Sequence, residues 1–279
     1  MNQFGGNWTQ QKIEMVVAYA KAYLIIMNKY PHFKPLYFDG FAGSGDIYKN
    51  EEPDLEVIKG TAIRILEIGE PISFDTYYFV EKDEKNKSEL EKTIKQKFSG
   101  KKTHVVAEDC NAKLKSMAKF LKKHSEYRVL AFIDPYGMSL DWNSIECLKN
   151  LGIDLWILVP TGMGINRLLK KDGNISDAWL ERLERFWGLT KEAILKHFYK
   201  ISTSFTLFGE ETIVEKEHNT IVKAADLYRQ RLNSVFKYVS EPFVMKNSTN
   251  SIMYHFMMAT NNKTAIKIAN DVIKPKYKL

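Results

Sequence analysis

Residues 37–45, YFDGFAGSG, decide the fold that we expect for this chain. An apolar run ends there in Asp39 and breaks at once into a turn that contains Gly43 and Gly45. Glycine has no Cβ and can adopt a positive φ, so a ligand can lie directly on the backbone of such a turn. The pattern predicts a buried strand that carries Asp39 to the carboxyl-terminal edge of an open α/β sheet, where such sheets bind their ligands.

Three more apolar segments are followed by acidic residues. The segments are 75–81, 103–107 and 128–133, and the acids that close or follow them are Glu81, Asp109 and Asp134. Helical periodicity separates these segments from one another and from a fifth apolar segment at 153–159. Strands that alternate with helices predict an α/β fold with a mainly parallel sheet and right-handed connections. The four acids are therefore expected together at one edge of that sheet.

The flanking segments complete one predicted domain, residues 1–279. An amphipathic helix at 8–30, with Thr9 as its predicted cap, precedes the first strand. Residues 46–58 are polar and acidic and predict a loop, while apolar stripes at helical spacing predict a helical insertion at 161–236. The remaining predicted elements are a β-hairpin made of 237–245 and 251–259 and a closing helix at 263–273.

The net charge indicates what kind of partner the protein binds, and the cysteine content indicates its cellular compartment. The chain has 41 Lys and Arg against 34 Asp and Glu, a formal charge of +7, which mildly favours a polyanionic partner such as nucleic acid. Its two cysteines, Cys110 and Cys147, form no C-x-x-C pair and predict reduced thiols in a cytoplasmic protein. We see no signal peptide, no apolar stretch long enough for a membrane span and no metal-ligand spacing among the histidines. We therefore expect a cytoplasmic protein without a metal site.

The strand-end acids match the parts of one nucleoside cofactor, S-adenosylmethionine. Asp39 and the backbone of Gly43 and Gly45 suit its methionine end, because a carboxylate can bind the ammonium group. Glu81 suits the two ribose hydroxyls, as does the acid at the second strand of dinucleotide-binding folds. Asp109 suits the adenine amine.

Each of these assignments has a structural alternative. Glu81 is equally interpretable as a surface acid, and Asp109 as the cap of a helix that starts near Asn111. Phe41, inside the glycine turn, is expected to pack near the cofactor. Four acids on successive strand ends favour the cofactor interpretation jointly, since surface acids have no reason to follow that order.

Asp134-Pro135-Tyr136-Gly137 follows the fourth strand and is similar to the D-P-P-Y tetrapeptide of amino-group methyltransferases. An exocyclic amine of a base is a poor nucleophile, because its lone pair is delocalised into the ring. A carboxylate and a proline-constrained carbonyl can accept its two hydrogens while an aromatic ring stacks on the base. Asp134, Pro135 and Tyr136 are therefore the predicted catalytic residues. The structural alternative is a D-P turn that ends a strand.

Motifs along nearly the whole chain resemble those of the three-Cys-motif partner proteins. Besides the glycine turn, the motifs are Trp8-Thr9…Lys12, Gly60-Thr61, FVEKD at 79–83, FIDPYGM at 132–138, Gly164-Ile165-Asn166-Arg167 and YHFMMATNN at 254–262. The resemblance implies a Rossmann-like class I methyltransferase fold. It also implies a neighbouring protein, similar to radical-S-adenosylmethionine enzymes, as a partner. Gly40 and Ser44 depart from the Leu and Pro that are more usual in that family's turn.

These observations favour a methyltransferase that acts on an exocyclic amino group of a base in DNA or RNA. One alternative is a cofactor-binding partner subunit that has lost catalysis, and another is a small-molecule or protein methyltransferase. A basic run, Arg167, Lys170 and Lys171, is the predicted phosphate-binding surface. Its structural alternative is the solvated face of a helix.

Overall fold

The computed structural model describes residues 7–48, 57–171, 173–206 and 209–274. Its helices are α1 (Asn7–Met27), α2 (Thr61–Leu66), α3 (Glu84–Lys97), α4 (Cys110–Lys123), α5 (Trp142–Glu146), α6 (Asn166–Leu168), α7 (Asp177–Trp187), α8 (Lys191–Phe198), α9 (Thr220–Asn233) and α10 (Lys263–Ile273). Its strands are β1 (Lys34–Asp39), β2 (Asp46–Tyr48), β3 (Val57–Lys59), β4 (Thr76–Val80), β5 (Thr103–Val106), β6 (Tyr127–Ile133), β7 (Ile153–Val159), β8 (Tyr199–Thr206), β9 (Gly209–Lys216), β10 (Tyr238–Val239), β11 (Phe243–Lys246) and β12 (Ile252–Thr260). A π-helical turn, Thr161–Ile165, lies between β7 and α6.

Eight strands form one sheet in the order β10-β12-β7-β6-β1-β4-β5, with β11 also paired to β12. Strands β1, β4, β5, β6 and β7 are parallel, whereas β12 runs antiparallel to β7. Numbered along the chain, the parallel strands lie in the order 3-2-1-4-5, which is the Rossmann order. The antiparallel strand β12 lies beside β7, the fifth parallel strand. The predicted Rossmann-like fold, with a mainly parallel sheet and a C-terminal hairpin, is confirmed.

The first strand shows how the sheet places its acids. The last five residues of β1 are buried, because helices cover both faces of a parallel sheet. Tyr37 packs into the core on the side of α1 and α2, and Phe38 packs into the core on the side of α4. Side chains alternate along a strand, so Asp39 follows Tyr37 onto the face that α1 covers.

The N-terminal helix predicted at 8–30 is confirmed as α1. Its buried face carries apolar residues at helical spacing, namely Ile13, Val16, Ala20 and Leu24. The prediction that Thr9 caps this helix is wrong, because Thr9 lies inside it and is buried. No described helix has both the length and the apolar character that a membrane span requires.

The prediction that residues 161–236 are mainly helical needs correction. Helices α6 to α9 lie there, but β8 and β9 form a separate antiparallel ribbon between α8 and α9. Strand β8 reads YKISTSFT, in which β-branched and aromatic residues alternate with polar ones, and this period of two favours a strand. The insertion is therefore mixed α/β.

Two other predicted segments also differ from the structure. The ends of the loop predicted at 46–58 pair as the short antiparallel strands β2 and β3, and residues 49–56 lie outside the described part of the chain. The outer strand of the C-terminal hairpin is divided into β10 and β11. Pro242 lies in that interruption, where a residue without a backbone N–H is tolerated.

Candidate functional site

A cleft of about 140 Å³ lies at the carboxyl-terminal ends of β1 and β6, under the first turns of α1. It brings together five residues that the sequence predicted, namely Asp39, Phe41, Gly43, Gly45 and Asp134. Two of these are carboxylates from neighbouring strands, and the others belong to the turn that follows β1. The structure thus places the glycine turn and the start of the Asp-Pro-Tyr motif in one site.

Asp39 is the most deeply buried acid of the cleft, with 1% of its surface exposed. Its carboxylate accepts hydrogen bonds from the backbone N–H of Phe41 at 3.1 Å and from the hydroxyl of Tyr37 at 3.3 Å. Burial nevertheless raises the pKa of Asp39 to about 7, since it disfavours the charged form more than these two bonds favour it. A cation that entered the cleft would lower this pKa again.

The glycine turn is fastened to the next strand by Glu81. The Glu81 carboxylate accepts from the backbone N–H of Gly43 at 2.9 Å and from that of Asp83 at 2.8 Å. Gly43 has φ of 63° and Gly45 has φ of 92°, a region that residues with a Cβ rarely adopt. The backbone of the turn is therefore held open toward the cleft, and Glu81 has a demonstrated structural contact beside its predicted ribose contact.

Lys12 of α1 forms an ion pair with Asp134 across the cleft. Its side chain is buried, and its ammonium lies 5.5 Å from the ring centroid of Trp8 and 6.0 Å from that of Phe132. Lys12 had no predicted role in the site. It lies beside the buried residues Thr9 and Ile13, whereas Lys21, the other cation of α1, is exposed.

The Asp-Pro-Tyr-Gly segment opens the cleft to solvent. Pro135 is buried, Tyr136 is 87% exposed and Gly137 has φ of 60°. Tyr136 is therefore free to stack on a ligand that approaches from outside. A Cβ on Gly137 would lie 3.8 Å from a guanidinium nitrogen of Arg182, an exposed residue that the sequence analysis also missed.

An aromatic pair borders the same segment. Trp8 and Tyr254 have ring centroids 5.1 Å apart. Burial raises the pKa of the Tyr254 hydroxyl, the nearby charge of Asp134 raises it further, and Arg167 opposes them. Tyr254 and Arg167 thus lie within electrostatic range of the predicted catalytic residues.

Asp109 caps a helix, as the structural alternative to a cofactor contact predicted. Its carboxylate accepts from the backbone N–H of Ala112 at 3.2 Å and caps α4. It does not line the cleft. Its assignment to the adenine amine stays a prediction.

The basic run Arg167, Lys170 and Lys171 lies beyond the end of β7, and all three residues are exposed. Lys170 and Lys171 follow α6 and are not part of a helix, so the helix-face alternative does not describe them. Their backbone carbonyls accept from the Tyr199 hydroxyl at 2.7 Å and from the Lys216 N–H at 3.3 Å. These bonds fix the backbone and leave both ammonium groups at the surface.

A larger cavity, of about 360 Å³, lies between α4 and strands β1, β4 and β5. None of the predicted site residues lines it. Within the described ranges, no group of three His, Cys, Asp or Glu side chains is arranged to hold a metal ion. The strand-end cleft is therefore the candidate site.

No protein-family model and no curated protein matches the sequence. A Legionella pneumophila protein assigned to DUF519 has a TM-score of 0.49 at 12% identity, over 98% of this chain and 92% of that chain. Trm1 from Pyrococcus horikoshii, solved with S-adenosyl-L-methionine, has a TM-score of 0.40 at 11% identity, over 99% of this chain and 73% of that chain. A conserved hypothetical protein from Streptococcus pyogenes has a TM-score of 0.33 at 18% identity, over 69% of this chain and 94% of that chain.

These TM-scores are low, so the fold is assigned from the strand order and strand directions of the chain itself. The resemblance to three-Cys-motif partner proteins stays a prediction.

Proposed function

We propose that this protein is an S-adenosylmethionine-dependent methyltransferase that acts on an exocyclic amino group of a nucleic-acid base. The observation that carries the proposal is the juxtaposition, in one strand-end cleft, of Asp39, the glycine turn and Asp134. There the ammonium group of the cofactor would meet the Asp39 carboxylate, and the target amine would meet the Asp134 carboxylate. The resemblance to three-Cys-motif partner proteins is a second support.

The residues of the cleft fit the cofactor. Asp39 is buried and only half ionised near neutral pH, so a ligand ammonium would gain a charge-assisted contact with a carboxylate that is shielded from water. Gly43 and Gly45 carry no side chain that would cover the turn. Glu81 and Asp109, which do not line the cleft itself, are assigned to the ribose and to the adenine amine, respectively. When bound, the cofactor supplies an electrophilic methyl group.

The chemistry of the chain's own residues is to hold and activate an amine. Asp134 and the carbonyl of Pro135 accept the two amine hydrogens, which directs the nitrogen lone pair away from them. Tyr136 stacks on the base and fixes its plane. The carboxylate of Asp134 also stabilises the positive charge that develops on the nitrogen during transfer.

Nucleic acid is the proposed substrate because exposed cations lie at the same end of the sheet as the exposed ring of Tyr136. Arg182 approaches Gly137, Arg167 acts on Tyr254, and Lys170 and Lys171 lie at the same edge of the sheet. Phosphates bind such side chains, and the net charge of +7 favours the encounter. A flipped or single-stranded base could then stack on Tyr136.

Transfer of labelled methyl groups to total DNA, RNA or protein tests the proposal. Incorporation into DNA or RNA, recovered as an N-methylated base, is the expected result. Incorporation into protein alone would support the alternative of a protein methyltransferase. Cofactor binding without transfer to any fraction, including small molecules, would support a second candidate, a partner subunit of a radical-S-adenosylmethionine-like protein, which the occupied carboxylate of Asp134 favours.

The contact of Glu81 with the ribose can be separated from its contact with Gly43. We expect Glu81→Ala to weaken binding of S-adenosylhomocysteine by roughly 10–150-fold, since a charge-assisted bond contributes about 1.5–3 kcal/mol. The wild type should also bind the 2′-deoxy analogue about tenfold more weakly, whereas Glu81→Ala should bind both equally. Calorimetric titration of both ligands measures this. Equal discrimination by the two proteins would restrict Glu81 to its turn contact.

The phosphate surface makes binding sensitive to salt. We expect nucleic-acid affinity to fall with a log–log slope of about −0.9 per phosphate contact on duplex DNA. Changing both Lys170 and Lys171 to Glu should weaken binding to all sequences alike and flatten the slope, because phosphate contacts position without specifying. The same charge change at the exposed Lys92 and Lys97 of α3 is the control. Fluorescence anisotropy across salt concentrations measures the slope, and equal slopes for both variants would contradict this surface.

A further inference from the structure

Lys12 is the one cation among the described residues that line the cleft. It is 5% exposed, so it needs an anion in contact with it, and Asp134 is that anion in the structure. Lys12 shares the cleft with both carboxylates and is in contact with Asp134. Burial raises the pKa of Asp39, and the charge of Lys12 opposes that rise. A buried cation beside two carboxylates is a group that an incoming anion can recruit.

The backbone of the glycine turn offers few donors for such an anion. The N–H of Phe41 donates to Asp39, that of Ala42 to the Val80 carbonyl at 3.0 Å, and that of Gly43 to Glu81. The methionine end of S-adenosylmethionine carries a carboxylate as well as an ammonium. With Asp39 assigned to the ammonium, Lys12 is the one cation among the described lining residues that can form an ion pair with the carboxylate.

We propose that Lys12 binds the carboxylate of the cofactor and releases Asp134 when it does so. The inference rests on the proposed function and deepens it. A lysine ammonium has three donors on a flexible stem, so it can change partner without a movement of α1. Before the exchange Oδ2 of Asp134 accepts from Lys12, and after it that oxygen can accept from the target amine. The proposed order is therefore that the cofactor binds before the amine substrate.

The exchange has a thermodynamic consequence that a simple contact would not have. Asp134 and the cofactor carboxylate compete for Lys12, so a weaker hold by Asp134 must strengthen cofactor binding. Loss of a catalytic carboxylate would thus improve affinity for the cofactor. A nucleoside without the amino-acid end would be indifferent to both residues.

The test is calorimetric titration with S-adenosylhomocysteine and with 5′-methylthioadenosine, which keeps the nucleoside and lacks the carboxylate. We expect Lys12→Met to weaken S-adenosylhomocysteine binding about tenfold or more and to leave 5′-methylthioadenosine binding unchanged. Asp134→Asn should strengthen S-adenosylhomocysteine binding several-fold, again without effect on 5′-methylthioadenosine. Lys21→Met, on the exposed side of the same helix, is the matched control. Lys12→Gln, which keeps a polar end, provides a second variant if Lys12→Met unfolds.

Two results would overturn the exchange: S-adenosylhomocysteine binding that is unaffected by the Lys12 variants, or binding that Asp134→Asn weakens. An equal loss of both ligands in Lys12→Met would assign Lys12 to the shape of the cleft and not to the carboxylate. If the wild type binds neither of these ligands nor S-adenosylmethionine, the proposed function itself fails, and this outcome is distinct from the others.

Discussion

Replacement of Asp134 by Asn is expected to reduce the rate of methyl transfer by about 10²–10⁴-fold, the range for removal of a positioned proton acceptor or charge-stabilising group at a reacting centre. Asn keeps the volume of the side chain but loses the negative charge. Its amide oxygen is therefore a weaker acceptor for the amine hydrogen bond than the carboxylate. It also carries no negative charge to stabilise the cationic product. Single-turnover transfer to the substrate identified by labelling measures the effect.

The choice of Asn over Ala follows from the ion pair with Lys12. Asp134→Ala would leave a buried ammonium without its partner, at a cost on the order of 3–5 kcal/mol of folding free energy. Loss of activity in that variant could then reflect unfolding. The amide oxygen of Asn can still accept from Lys12, so thermal unfolding should change little.

A control from the same loop distinguishes catalysis from a general disturbance. Asp141 precedes α5 and its side chain makes no capping bond to that helix. We expect Asp141→Asn to keep wild-type turnover. Full turnover in Asp134→Asn would remove the amine-acceptor mechanism, whatever the cofactor affinity of the variant.

The parts of the structure that the sequence predicts are those with local signals. The last five residues of β6 and of β7 are apolar and buried, and the sequence shows them as apolar runs. Asp39, which ends β1, and Asp134, which follows β6, mark the strand ends directly. The cap formed by Asp109 was also predictable as an alternative, because a capping bond joins residues only a few positions apart.

Other features depend on contacts between distant residues. Lys12 and Asp134 are 122 positions apart, so their ion pair exists only once α1 is packed against the end of β6. The approach of Arg182 to Gly137 likewise needs the insertion to fold over the site. The ribbon of β8 and β9 was missed because helical stripes on both sides of it dominated the pattern.

Asp39 is predicted to couple cofactor binding to pH. Its pKa near 7 in the free protein means that most molecules carry a neutral Asp39 at pH 6 and an ionised one at pH 8. The ligand ammonium binds the ionised form, so a proton leaves on binding below pH 7. We expect affinity for S-adenosylhomocysteine to rise about tenfold from pH 6 to pH 8. Calorimetry in two buffers of different ionisation enthalpy would measure the affinity and the proton release together.

Variants at Asp39 separate its charge from its shape. Asp39→Ala should lose roughly 10–150-fold in affinity at pH 8 through the missing charge-assisted contact. Asp39→Asn should show a comparable loss at pH 8, with affinity that varies little between pH 6 and pH 8. Unchanged affinity in both variants would remove Asp39 from the binding site.

Asp39 should also make the free energy of unfolding of the protein, measured without ligand, depend on pH. A carboxyl group whose pKa is higher in the folded than in the unfolded state holds its proton more tightly when folded. Its contribution therefore falls as pH rises from the usual value of 3.8 to about 7. From the pKa difference, we expect the Asp39 contribution to the free energy of unfolding to fall by roughly 3–4 kcal/mol over this range. Asp39→Asn should lack this decrease, so urea unfolding at pH 5 and pH 8 compares the two proteins directly. A parallel pH dependence in both proteins would show that Asp39 is ionised over this range. A cation would then have to balance its buried charge, and Lys12 is the one cation among the described residues that line the cleft.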